Sequence, residues 1–423
     1  MAACGILAGA AFSTAPVRAQ QPSAAAPLSD SAPQPIDLVT ALRLAGINNL
    51  DLKIVRDAER QAKAANDAAT LRFFPSLSIG ELYARRTGAD QQTAGTMLEV
   101  DKQLYRRGAS VGIALDVGDA IFGKLAARQL ETAAAHTVEA QRNDVVLRAA
   151  SAYFDLVSAA AEVDIARDAL RISRQYQDQL ERAVAIGITN KSEALRVSVQ
   201  TQQAEITLRA AQAAQRGDSA ELAVVLRLDP ATVLVPRERV VVPATLVPLD
   251  TSMNALVAAA IAARPELAAS AAAVSAAEHQ QTAARYGPLI PSITAAATYG
   301  QTRGGADGLL SPYQATHDYA VGLSWRFGPG GLFDFSRTEA ADARLDRQRL
   351  TDTKLRDSIS QQVVVALSGA QAALDQMHLA RHGVELAQQS LQLSMQRKEF
   401  GVYAVLEVIQ AQQDLTRARS SYA

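Results

Sequence analysis

His378 and His382 stand one helical turn apart, with Asp375 and Glu385 close on either side. That spacing could set two imidazoles and a carboxylate around one divalent cation. A protein zinc site needs three or four ligands, and no thiolate or third histidine completes this set. The pair therefore reads as solvated side chains on a charged helix face, and no metal is expected. Arg326-Phe327-Gly328-Pro329-Gly330-Gly331 lies between a strand pattern and a helix pattern, where a phosphate-cradling loop would be placed. The third glycine position of such a loop is Phe333, and no parallel βαβ unit can be drawn around it. This segment reads as a flexible strand-to-helix corner. His136, His279 and His317 are isolated, and no serine or acid has a histidine placed to activate it. No catalytic residue and no cofactor are expected, and the chain reads as a non-enzyme.

Function must then lie in architecture, and the architecture is duplicated. Pro75-Ser76-Leu77-Ser78-Ile79 is echoed by Pro291-Ser292-Ile293-Thr294, and Val111-Gly112-Ile113 by Val321-Gly322-Leu323. Gly187 with Glu193-Ala194-Leu195 recurs as Gly401 with Glu407-Val408-Ile409, at an offset of 214. A period this long means a repeated structural unit, not a short-period solenoid.

Two helical hairpins follow from the pattern. Val145, Ala149, Ala152, Leu156, Ala159, Val163, Ala166, Leu170, Ser173, Gln177, Leu180 and Val184 alternate steps of four and three, a coiled-coil seam. The second copy keeps the register from Ile359 through Ala373 to Ser394 and fails only at Lys398. Helices over about 121–186 and 332–400 would each be roughly 100 Å long at 1.5 Å per residue. Each ends in a glycine-bearing turn, and shorter amphipathic helices over about 36–72 and 252–286 precede the repeats.

Between them lie strands. Tyr319, Val321, Leu323, Trp325 and Phe327 alternate with Ala320, Gly322, Ser324, Arg326 and Gly328; Val111, Ile113, Leu115 and Val117 alternate with Gly112, Ala114, Asp116 and Gly118. Period-two alternation ending in aromatics fits strands of an outer-membrane barrel, with these two apolar sets facing lipid. Loops over 88–96 and 304–316 would join strands of about ten residues, enough to cross a bilayer when tilted. A soluble β-sandwich core is the competing reading, against which stand the polar opposite face and the lack of other strands to pack on. Four strands cannot close a barrel, so several chains must share one.

Composition agrees. Aromatics are only 5%, while alanine, which lets helices approach closely and favours helix, crowds every long segment. With 42 basic and 43 acidic residues there is no footprint for nucleic acid. No run of 18 apolar residues supplies a membrane-spanning helix. The only cysteine, Cys4, sits in an apolar start followed by Val17-Arg18-Ala19, a small-residue cleavage site before Gln20. This resembles a secretory signal without its basic region, so the start is expected to be incomplete. The expected organisation is a signal peptide over 1–19 and a flexible leader over 20–35. A first repeat follows over 36–229 (β-hairpin 75–118, helical hairpin 121–226), then a linker over 230–251. A second repeat covers 252–423 (β-hairpin 291–328, helical hairpin 332–423).

Taken together these residues resemble the TolC-type outer-membrane efflux proteins, from Ile36 onward. The resemblance is carried by Asn49-Leu50-Asp51-Leu52 with its echo Arg264-Pro265-Glu266-Leu267, by Ala152-Tyr153-Phe154-Asp155-Leu156, by the two helix tips, and by Leu228-Asp229-Pro230. It implies a mainly α protein with membrane β, in which repeated coiled-coil helical hairpins and β-hairpins form a shared trimeric β-barrel and an α-helical tunnel. It further implies a homotrimer with twelve strands, seated in the outer membrane of a Gram-negative bacterium with most of its mass in the periplasm. Such a passive exit duct serves a tripartite efflux or type I secretion system, through a periplasmic adaptor and, beyond it, an inner-membrane pump. The adaptor-contact tips would be Arg182, Gly187, Ile188 and Thr189 in the first copy and Arg397, Gly401, Val402 and Tyr403 in the second.

Two departures from the family pattern stand out. Gln392 and Met395 occupy the positions where relatives narrow the tunnel entrance with acids. The last helix stops at Ala423, the counterpart of Arg209, so a stretch matching 210–226 is expected to be missing. A periplasmic adaptor with long hairpins is the alternative function, but one hairpin flanked by β domains is its pattern, and here there are two.

Overall fold

In the computed structural model, residues 33–91, 93–238, 248, 251–306, 309–399 and 405–423 are described. The expected signal peptide, nearly all of the leader and much of the linker lie outside them. Helix α1 (Leu38–Asn48) and α2 (Leu50–Leu71) open the chain, capped by Asp37 and Asn49, whose side chains accept from Thr40 N and Leu52 N. Strand β1 (Gln34–Ile36) pairs in parallel with β4 (Leu234–Pro236) and ties the start of the chain to the end of the first repeat.

Two helices dominate. α3 (Val117–Ala185) runs for 69 residues and is followed by α4 (Lys191–Leu226); α7 (Phe335–Glu399) runs for 65 and is followed by α8 (Val405–Tyr422). At 1.5 Å per residue α3 is roughly 100 Å long. The seam explains why a helix with so little overall amphipathicity holds together. Val145, Ala149, Ala152, Leu156, Val163, Ala166, Leu170, Ser173 and Leu180 are all buried, and Ala159, Gln177 and Val184 are half-buried. Val145, Ala149, Ala152, Tyr153 and Leu156 form a core with Ile36, Ala41, Ala45, Leu222, Leu226 and Leu234. There the Tyr153 hydroxyl donates to the Glu238 carboxylate.

The second seam departs from expectation. Ile359, Leu391 and Ser394 are buried, but Ala366, Ala370 and Ala373 are exposed. The reason is geometric: α8 has 18 residues against 36 in α4, so it covers a shorter stretch of its long partner. A preserved heptad marks a face; burial of that face needs a partner of matching length.

The sheet has four long antiparallel strands in the order β2 (Ser76–Gln91), β3 (Met97–Asp116), β5 (Ser292–Ala306) and β7 (Gln314–Ser324), with the short β6 (Leu309–Leu310) beside β5. The strands run beyond the ten residues expected, with β3 reaching 20. Of the segments expected as loops over 88–96 and 304–316, the ends continue the ladder, as where Gly88 pairs with Val100 and Gln91 with Met97, while 93–96 and 311–313 do turn as loops. Backbone pairing does not stop where the side chains turn polar. The other correction is at the base: Val117 is the first residue of α3, not part of a strand. Helices α5 (Met253–Ala263) and α6 (Pro265–Tyr286) complete the second repeat, with α6 packed on α3 and α7.

Burial, reinforced by the Asp155 carboxylate, pushes Asp218 on α4 above the usual carboxylate range. The folded state then disfavours the charged form, a penalty present above the raised value and absent below the unfolded pKa of about 3.9. Asp218→Asn should therefore raise the thermal midpoint at pH 7, with the gain disappearing by pH 3. A gain that instead grew on acidification would contradict this placement.

Candidate functional site

Register alone divides the sheet into two chemically different faces, because paired residues share a face. On one side lie Leu77, Ile79, Val111, Ile113, Leu115, Ile293, Ala295, Ala297, Val321 and Leu323, joined through the pairs Leu77–Val111, Val111–Ala297 and Ala295–Val321. On the other lie Ser76, Ser78, Ser110, Gly112, Thr294, Thr298, Asp318 and Gly322, where the Ser78 and Ser110 hydroxyls are 2.7 Å apart. The apolar side is bare: Ile79 is 79% exposed, Tyr319 80% and Val321 84%. Contiguous apolar surface of this extent marks a face made for something other than water.

Aromatic side chains bound that band above and below. The Tyr83 and Tyr105 rings meet at a tilt with centroids 4.7 Å apart, and Tyr299 lies against His317 at 4.6 Å toward the loop end of the strands. At the helix end Phe74, Trp325, Phe327, Phe333 and Phe335 are all exposed. Trp325 and Phe327, expected as strand residues, fall just past β7. Trp325 Nε1 donates to the Leu289 carbonyl at 3.3 Å, and Phe327 bridges to Leu332 and stacks on Phe333. The corner after them is tight: Gly328 and Gly330 take φ of +91° and +75°, and Asp334 accepts from Gly330 N and caps α7 through Arg337 N. Those bonds, with the Arg337 cation, hold its carboxyl below the usual range. The glycine-rich segment thus makes a corner whose amides are already engaged.

Sheet and helices meet at closely packed backbone. A Cβ at Gly118 would sit 2.5 Å from both the Cα and the carbonyl oxygen of Gly287. Beside it Asp119 pairs with Arg337 at 2.5 Å, joining the two long helices where they leave the sheet.

At the far end the first tip ends in a Schellman turn: Ile188 N bonds Ala183 O at 2.9 Å and Gly187 N bonds Val184 O at 3.0 Å, with Gly187 at φ +77°. Nothing lies within 4 Å of a Cβ built there. Ile186 and Ile188 flank it with their apolar side chains 72% and 62% exposed, Thr189 is half-buried, and Arg182 Nε donates back to Asp178 O at 3.2 Å. In the second tip Gly401, Val402 and Tyr403 lie outside the described residues, and Arg397 is placed only as part of α7. Gln392 and Met395 are exposed on α7, beside the buried Leu391 and Ser394. The two hairpins meet near this end in a core of Tyr176, Leu180, Val197, Leu391, Val408, Ile409 and Leu415. Gln413 Nε2 reaches Gln200 Oε1 at 2.8 Å beside it.

Sequence reasoning missed the aromatics at the base, Phe74, Phe333 and Phe335, although their position just before Pro75 and just after Phe327, at the ends of the strand patterns, was the available signal. His378 and His382 are exposed on α7, and the latter faces Glu385 at 3.6 Å. Among the described residues no group of three potential metal ligands assembles. Among the described residues no single helix is long and apolar enough to cross a membrane.

Residues 256–423 match the family described as outer membrane efflux protein. Comparison with curated protein sequences gives no significant match. Among solved structures, the CmeC outer membrane channel of Campylobacter jejuni is similar at a TM-score of 0.80 and 16% identity, over 91% of this chain and 81% of that one. The outer membrane protein VceC of Vibrio cholerae is similar at 0.77 and 16%, over 91% of both chains. The open-state MtrE outer membrane channel of Neisseria gonorrhoeae gives 0.70 and 18%, over 91% and 84%. At these identities the likeness establishes the fold.

The junction between sheet and helices gives a paired test. Gly118→Ala should cost about 1–3 kcal/mol of stability, because backbone must move to admit the methyl group. Gly123→Ala, one turn further along α3 with nothing within 4 Å, should instead stabilise by up to about 1 kcal/mol. Chemical denaturation of the two purified variants would check the contrast; equal shifts would remove the close contact.

Proposed function

We infer that this chain, which carries the outer membrane efflux family match in its second repeat and the channel fold throughout, is an outer-membrane efflux channel. It works as a passive duct across the periplasm and outer membrane in a tripartite efflux or type I secretion system. The observation that carries the reading is the pairing of a bare apolar strand face, bounded by aromatics, with helices roughly 100 Å long. The first belongs in lipid, and the second spans a water-filled compartment. Three copies would complete a twelve-stranded barrel, with the serine, threonine and glycine face lining its lumen. Val111, Ile113, Leu115, Tyr319, Val321 and Leu323 would face lipid, and Trp325 and Phe327 would sit at the inner interface.

The first helix tip is the docking end for a periplasmic adaptor, through which an inner-membrane pump supplies energy. Its exposed Ile186 and Ile188, and the open space at Gly187, suit close approach of another helical hairpin. Gln392 and Met395 on α7 are the candidates for the tunnel entrance. The family match and the channel fold support a transport role.

Reconstitution in planar bilayers should give discrete conductance steps, and the gene should restore export to a host lacking its own outer-membrane channel once the cognate pump and adaptor are supplied. Protein that stays soluble without detergent and conducts nothing would overturn the reading. Asn tolerates the backbone of a Schellman glycine but fills the space beside it. Gly187→Asn should therefore leave conductance intact and reduce export at least tenfold; unchanged export would assign Gly187 to turn geometry alone.

A further inference from the structure

We propose that the outer surface of the barrel carries a binding site for a phosphorylated lipid headgroup, built by Arg107 and Arg303 around Tyr313. The inference rests on the membrane reading given above. Arg107 on β3 and Arg303 on β5 lie on the apolar face of the sheet, since Arg107 pairs with Gln301 and Arg303 with Tyr105 in the same register that aligns Val111 with Ala297. Both guanidinium groups approach one ring: the Arg107 carbon is 4.2 Å from the Tyr313 centroid and that of Arg303 is 4.6 Å from it. Arg303 also lies 4.4 Å from the Tyr105 centroid.

Two like charges are thus gathered on one tyrosine, and among the described residues neither has a carboxylate within 4.0 Å. Arg107 instead donates to the neutral Gln301 Oε1 at 2.7 and 3.2 Å, and Arg303 Nε is buried with no hydrogen-bond partner. Glu81 stands opposite Arg107 in the register without pairing with it. The neighbouring Arg85 is different, being held in a bidentate pair with Asp101 at 2.8 Å. A cation–π stack fixes the planes of the two guanidinium groups, neither of them ion-paired among the described residues, and leaves N–H groups at their edges as donors. Planar guanidinium edges suit phosphate oxygens, with two parallel bonds to each.

Height decides which phosphate. The outward apolar run on β5 is Ile293, Ala295, Ala297 and Tyr299, and Gln301 and Arg303 follow directly. Arg303 is therefore ten residues above Ile293, roughly 33 Å along the strand and about 25 Å vertically once tilted. That places the pair at the outer edge of the hydrocarbon band, among Tyr83, Tyr105, Tyr299 and Tyr313, where lipid headgroups lie. A diphosphorylated headgroup on acyl chains would meet both guanidinium groups while its chains cover Val111, Ala297 and Tyr319 below.

The test uses the full chain in detergent and native mass spectrometry, with purified lipid A as the probe and its dephosphorylated form as the comparison. Wild-type protein should retain lipid A and bind the dephosphorylated form at least tenfold more weakly. Arg107→Gln combined with Arg303→Gln should lose binding by a similar factor, while Arg106→Gln on the opposite face should not. Conductance of the double variant should be preserved, which separates this site from the channel reading. A conducting wild type that retains both lipids equally, or a double variant that keeps its lipid A, would overturn the site alone. Displacement of lipid A by millimolar inorganic phosphate would also overturn it, by showing a free-anion site. Absence of both conductance and lipid would overturn the channel reading with it.

Discussion

The unpaired backbone along the outer edges of β2 and β7 is the constraint on which the rest of the structure depends. Among the described residues β3 and β5 are paired on both sides, but β2 and β7 each have one free edge. In hydrocarbon a bare N–H or C=O costs several kcal/mol, so an open four-stranded sheet cannot reside there alone. In water the same edges, beside a bare apolar face, would template aggregation. Closing the sheet with further copies answers both problems at once. It also explains why the chain needs no sealed barrel core of its own.

The helices take their geometry from the junction with the sheet. Each long helix leaves the sheet at a point fixed by contact of Gly118 with Gly287 and by the Asp119–Arg337 pair. From there an alanine-rich seam lets α3 and its neighbours approach closely over many turns. Large side chains would thicken the wall, whereas alanine gives a thin one with helix propensity to spare. The Ser173–Thr201 bond closes the first hairpin from within, and Gln413–Gln200 joins it to the second. An apolar core that includes Tyr176, Leu180, Leu391 and Val408 joins the hairpins there as well.

Much of this was legible in the sequence because two periods are hard to mistake. The four–three alternation from Val145 to Val184 predicted a buried face, and nine of its twelve positions are buried while Ala159, Gln177 and Val184 are half-buried. The two-residue alternation around Val111 and Val321 predicted faces that the register confirms. What escaped was whatever depends on length or on partners. Strand ends were misjudged because Gly88 to Gln91 look like a loop yet go on pairing with Met97 to Val100. Val117 keeps the strand alternation for one residue after its backbone has become helical. Ala366 to Ala373 carry the heptad but lack a covering helix in this chain. The Arg107–Tyr313–Arg303 stack was invisible because its members come from three separate segments that only the sheet register brings together.

Closure between chains is tested most directly by disulfide trapping across the proposed seam. With Cys4, the only native cysteine, replaced, a cysteine at Val321 on β7 would be combined in turn with one at each position from Ser76 to Leu82 on β2. Oxidation in native membranes should give cross-links at one register, strongest at alternate residues, with a ladder on non-reducing gels that ends at three chains. No cross-link at any position, or a ladder that continues past three, would contradict a barrel shared by three copies.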